Sequence, residues 1–189
     1  MGYELHIARV IPWIYCHRFP IGRHEVRALL DTEDWLRYDD GRLCAKDPGE
    51  ARVRRMLAIA AELDAWLLGD GDTIFGVAGD RVVEREATHA DLPFPRSFLA
   101  AEAAITAARW AEIVAAEPDL QWRTRVRAQV PSGATWIDCP PVACWTGHPS
   151  GEPVPFFHSE YEGAVEVWRP DSATLTRMEA LEVQLALPS

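Results

Sequence analysis

The sequence predicts an α+β fold, an antiparallel β-sheet packed by helices, in which one strand–helix unit is present twice. Three observations carry this. Residues 161–185, YEGAVEVWRPDSATLTRMEALEVQL, align without a gap onto residues 39–63, DDGRLCAKDPGEARVRRMLAIAAEL. The shared anchors are Gly41 with Gly163, Pro48 with Pro170, Ala51 with Ala173, Arg55 with Arg177, Met56 with Met178 and Leu63 with Leu185. Both stretches read as turn, strand, Pro-marked corner and amphipathic helix, and a repeated supersecondary unit implies a core built from its stacked apolar faces. Elsewhere, short runs alternate apolar and polar residues with the period of half-buried strands.

In chain order, Tyr3, Leu5 and Ile7 share one face of an opening strand, with Glu4, His6 and Ala8 on the other. Residues 10–20 form a Pro-bounded connection, and a short helix follows from about Gly22 to Leu30. A turn at Asp39-Asp40-Gly41 leads into a strand, Arg42 to Lys46. Asp47-Pro48-Gly49-Glu50 has the order of a capping box with proline in the first turn. Val53, Met56, Ile59, Ala60, Leu63 and Trp66 then recur at helical spacing up to Gly69. In the later copy Arg169 stands in place of Asp47, so Asp171 or Ser172 must cap, with Leu175, Met178, Leu181 and Leu185 as the apolar stripe. A hairpin is expected at 73–85, a boundary loop at 86–96 and an Ala-rich helical region at 97–116. Strands then follow over Trp122–Ala128, Thr135–Ile137, Val142–Thr146, Val154–Ser159 and Ala164–Trp168. Together these give one α+β domain over 1–189 containing pseudo-repeats 20–85 and 97–189.

Composition narrows the function. The chain is 48% hydrophobic and contains eight Trp, enough to bury a core. Its formal charge of −10 has the wrong sign for binding nucleic acid, where affinity rests on neutralising phosphates. It suits a basic protein partner. Cys16, Cys44, Cys139 and Cys144 show no disulfide framework. No membrane-length apolar run and no signal-peptide pattern is legible, so a cytoplasmic location is expected. One Lys against eighteen Arg, and no Asn, fit a GC-rich bacterial coding bias.

The chemistry-bearing residues are sparse. Cys139, Cys144, His148 and His158 lie in one β-rich segment, but their spacing is looser than that of structural zinc sites, so no metal and no cofactor are assigned. His6, Cys16, His17 and His24 read as scattered core or surface residues. Ser150 lacks the G-x-S-x-G context of a nucleophile elbow, no phosphate loop is present, and Asp70 and Asp72 lack the other ligands of a calcium loop. Arg123, Arg125 and Arg127 form one face of a strand, read as solvated and paired with acids. No catalytic set is assigned. A partner surface is placed at the acidic turns, Asp39, Asp40, Glu160 and Glu162, and at Trp145 and His148 of the Gly-Pro loop.

The opening Met1-Gly2-Tyr3-Glu4-Leu5-His6-Ile7-Ala8-Arg9 resembles the MGYxLHITR start of a family of small bacterial proteins. Ile105-Thr106-Ala107-Ala108-Arg109-Trp110, Trp145-Thr146-Gly147-His148 and Trp168-Arg169-Pro170-Asp171 resemble the family's later motifs. The chain departs from that pattern at Ala8 and by the additional unit 20–85. The family in turn resembles immunity proteins of polymorphic toxin systems. With the absence of a catalytic set, the resemblance implies a protein that binds a cognate toxin and neutralises it by occlusion; the net charge of −10 adds a toxin with a basic surface and no nucleic acid, and the missing membrane-length apolar run adds no membrane. The alternatives are a small metal-dependent or Cys/His enzyme and a cytosolic scaffold or adaptor.

Overall fold

A computed structural model describes residues 3–71, 73–99, 101 and 103–186. Met1 and Gly2 of the opening motif, and Asp72, lie outside them. By its internal contacts the chain divides into two compact units, Met1–Leu92 with Arg127–Pro140, and Pro93–Val126 with Pro141–Ser189. The elements run β1 (Glu4–Ala8), a 3₁₀ helix (Trp13–Arg18), α1 (Arg23–Thr32), β2 (Arg37–Asp39), β3 (Arg42–Lys46), α2 (Glu50–Glu62), β4 (Trp66–Leu68), β5 (Thr73–Ala78) and β6 (Arg81–Glu86). They continue with β7 (Arg96–Phe98), α3 (Ala107–Ala116), β8 (Leu120–Val130), β9 (Gly133–Trp145), β10 (Val154–Ser159), β11 (Ala164–Trp168) and α4 (Ser172–Leu185). One sheet has the order β2-β3-β1-β4-β5-β6 and the other β7-β11-β10-β9-β8. The fold is α+β with antiparallel sheets, and the strand–helix unit is repeated.

The repeat shows in hydrogen bonds as well as in element order. The amide of Ile21 donates to Gly41 O (2.8 Å), and that of Ile105 to Gly163 O (2.7 Å). Asp47 N donates to Tyr3 O, and Arg169 N to Pro95 O, both at 2.8 Å. Asp47 and Arg169 each sit at positive φ, +46° and +48°. Arg55 donates to Glu33, which follows α1, and Arg177 to Glu117, which follows α3. The equivalence therefore begins at β1 and β7, earlier than residues 20 and 97: β1 pairs with β3 as β7 pairs with β11.

Each unit buries the apolar side of its own copy. Leu5, Ile7, Ile21, Val26, Leu43, Met56 and Ile59 lie in the first cluster, and Ile105, Trp110, Val165, Val167, Met178 and Leu181 in the second. Met56 and Met178 are both buried. Leu175, assigned to the inward stripe, is exposed.

Local chemistry moves several boundaries. α2 is capped by Gly49, without a side-chain hydrogen bond, rather than by Asp47, whose carboxylate instead accepts from Tyr3 N (2.8 Å). In the second copy Asp171 caps α4 by accepting from Thr174 N, and the two helices start at aligned positions. Trp66 lies in a strand, because α2 ends in a Schellman turn: Ala65 N donates to Ala60 O and Asp64 N to Ala61 O, with Asp64 at φ +48°. The Ala-rich stretch yields strand β7 and then α3, which starts only at Ala107, where Thr106 accepts from Arg109 N. Residues 133–145 form one long strand rather than two.

Candidate functional site

The turns that join the paired strands of each copy carry the predicted acidic residues. In the first, Asp39 pairs with Arg42 across a two-residue turn, Asp40-Gly41, both at positive φ (+43° and +86°), the conformation an Asp-Gly hairpin favours. Asp39 and Asp40 are exposed, with Asp39 ion-paired to Arg42. The Asp40 carbonyl accepts from the Cys16 thiol at 3.0 Å. In the second copy the closing pair is Ser159 with Ala164, so four residues form the loop. Glu160 and Glu162 are exposed, and between them Tyr161 is 100% exposed. The base of this loop is fixed, since Glu162 N donates to Ser159 Oγ (3.2 Å) and Gly163 O accepts from Ile105. Tyr161 is not among the partner-surface residues that the sequence points to. Its signal is an aromatic between two acids immediately before a turn glycine.

Trp145 and His148 do not offer themselves to a partner in the manner expected. Trp145 is 7% exposed within the second unit's core, and its indole Nε1 donates to Asp119 Oδ2 (2.7 Å). Asp119 O also accepts from Thr146 N (2.8 Å) and from its hydroxyl (3.0 Å), and Asp119 Oδ1 accepts from Arg177 at 2.6 Å. The His148 side chain is 10% exposed, lies edge-on to the Trp145 ring and bonds through both ring nitrogens: Nδ1 to Ser150 Oγ (2.6 Å) and Nε2 to Asp171 Oδ2 (2.9 Å). The segment is an anchor for the loop that follows it, sewn to Asp119 and to the cap of α4.

The sequence of contacts Asp171, His148, Ser150 has the outline of a nucleophile relay. A catalytic serine also needs backbone N–H groups aimed at the developing oxyanion. Here the three successive amides point inward: Ser150 N donates to His148 Nδ1, Gly151 N to His148 O and Glu152 N to Ser150 Oγ. The geometry is that of a locked loop. Asp171 is held below the usual carboxylate range by the backbone and hydroxyl of Thr174, with His148 adding to the effect.

Among the described residues, Cys139, Cys144, His148 and His158 do not gather. His158 Nε2 contacts Ile105 O at 2.7 Å, Cys144 is buried near the Val142 carbonyl, and burial pushes the Cys139 thiol up to about 11. A group of ligand-type residues does form in the first unit, where Glu4, His6 and Cys44 bring one ligand atom each within 4.8 Å of one another. His6 stacks on Trp13 with ring centroids 4.1 Å apart, and Arg42 lies over the same indole. Burial, helped by the Arg42 charge, lowers the His6 pKa and favours the neutral imidazole.

Compared with known proteins, the chain matches no family model, no curated protein and no solved structure. Among the described residues no helix is long and apolar enough to cross a membrane.

Proposed function

We propose that this chain is an immunity-type protein that binds a toxin of the same bacterium and occludes it, using the Glu160-Tyr161-Glu162 turn as its central contact. The observation that carries the reading is Tyr161, fully exposed on a loop whose base is pinned by hydrogen bonds. A tyrosine held this way offers a large apolar ring and a polar tip at low entropic cost, the combination enriched at interface hot spots. The flanking carboxylates, with the net charge of −10, suit a partner with a basic surface and would steer encounter. The resemblance to small immunity proteins supports the same reading. Trp145 and His148 stand apart from this turn, since Trp145 pairs with Val154 at one end of β10 and the turn follows Ser159 at the other; Asp39 and Asp40 belong to the equivalent turn of the first copy.

The test is co-expression with a toxin encoded beside this chain, scored by cell rescue and co-purification. Tyr161→Ala should weaken the complex by about thirtyfold, the range of a hot-spot residue. Glu162→Lys should chiefly slow association, with the difference shrinking as salt is added. Failure both to rescue and to co-purify would end the proposal, and an unchanged affinity for Tyr161→Ala would remove the turn from it.

A further inference from the structure

Equivalent positions of the two units carry different chemistry. In the second unit, Arg96 on β7 donates to Glu166 Oε1 on β11 (3.2 Å), and Trp168 Nε1 donates to the same oxygen (2.8 Å). The position is closed by the protein's own ion pair. In the first unit Glu4 stands where Arg96 does, Cys44 where Glu166 does, and His6 where Phe98 does, as the paired registers require.

Strand geometry assembles the first-unit group. Glu4 and His6 are alternate residues of β1 and share a face. Cys44 lies directly opposite His6 on β3, so its side chain joins them. Glu4 Oε1 accepts from Arg37, which leaves Oε2 facing His6 Nε2 at 4.0 Å. His6 is 1% exposed, and among the described residues its Nδ1 has no hydrogen-bond partner.

We propose that Glu4 Oε2, the His6 imidazole and the Cys44 thiolate bind one zinc ion, leaving its fourth position open. A carboxylate, an imidazole and a thiolate form a ligand set of mixed softness that suits zinc, whereas magnesium and calcium take oxygen ligands alone. Around a tetrahedral ion the donor atoms stand roughly 3.3–3.8 Å apart, so small side-chain rotations bring the present 4.8 Å group into range. The Cys44 thiol gives up its proton to solvent on binding. Arg37 acts on the ligating carboxylate from outside, as outer-shell partners of metal ligands do. The ion enters past Glu4, whose side chain is 29% exposed, while His6 and Cys44 are buried.

The full chain is loaded with zinc, dialysed against a weak chelator and analysed for metal, and in parallel titrated with cobalt(II). One retained equivalent of zinc and a thiolate-to-cobalt charge-transfer band are expected. Both should disappear in Cys44→Ser and persist in Cys139→Ser. Should Cys44→Ser fail to fold, Glu4→Gln at the partly exposed rim serves instead, and it should weaken zinc binding by more than about tenfold. No retained zinc, a cobalt band that survives in folded Cys44→Ser, or, where that variant does not fold, an unchanged zinc affinity in Glu4→Gln, overturns the site. Magnesium or calcium competing at concentrations comparable to zinc would overturn it equally.

Discussion

Gly41 and Gly163 show how much of the repeat rests on single residues. Each sits at positive φ, +86° and +59°, and each offers its carbonyl to the residue before a helix cap, Ile21 or Ile105. A Cβ at Gly41 would stand 2.6 Å from Pro20 Cβ, and one at Gly163 2.6 Å from Ala104 Cβ. Gly41→Ala and Gly163→Ala should therefore each cost about 2 kcal/mol, combining a left-handed backbone penalty with overlap. Gly79→Ala is the control, since Gly79 has φ +60° but, among the described residues, nothing within 4 Å of an added Cβ, and should cost about 1 kcal/mol. Urea denaturation of the three variants would separate the contributions. Equal losses would mean that close approach is not what requires glycine at the first two sites. Tyr161 belongs to this scale as well. It lies in a loop two residues longer than the Asp40-Gly41 turn.

Helix ends illustrate the element scale. α2 and α4 start at aligned positions but differ in their caps, Gly49 in one and Asp171 in the other. Asp171 accepts from Thr174 N (2.9 Å) and its hydroxyl (2.8 Å), and also holds His148. Asp171→Ala should destabilise by about 1 kcal/mol through the cap alone, and further through the released loop. Gly49→Asp should stabilise by a few tenths of a kcal/mol, since a Cβ there meets nothing within 4 Å among the described residues. Thermal unfolding of both variants checks the pair of signs. A destabilising Gly49→Asp would mean that the glycine backbone itself is needed at that corner. The same helices are tied to their neighbours by matching ion pairs, Arg55 with Glu33 and Arg177 with Glu117.

Across the whole molecule, several carboxylates are held in their charged form. Arg55 lowers the pKa of Glu33, Arg177 and then Gln184 lower that of Glu117, Arg85 holds Asp91 well below the usual range, and Thr174 lowers that of Asp171. Each folded-state pKa lies below its unfolded value, so the folded chain binds fewer protons in the window between them. Their stabilisation is complete above the ordinary carboxylate range of about 4 and is lost as pH falls through the depressed folded values. Chemical denaturation midpoints should thus hold steady from neutral pH to about 5 and fall steeply below about 4. A midpoint that rises on acidification would show that relief of the net charge of −10 outweighs these bonds.

Sequence alone determined the α+β class, the doubled strand–helix unit and most strand positions, because alternation, helical spacing and turn residues are local signals. It also located the turns at Asp39-Asp40 and Glu160-Glu162. Only the tertiary structure decided the rest. Trp66 reads as one more helical position until the Schellman turn at Asp64 redirects the chain. Trp145 and His148 read as surface residues until Asp119 and Asp171, distant in sequence, bind them. Glu4, His6 and Cys44 form a group solely through the register of β1 on β3. Spacing along the chain fixes which face a residue takes, but which residues meet across strands depends on long-range pairing, and that carries no short-range signature in the sequence.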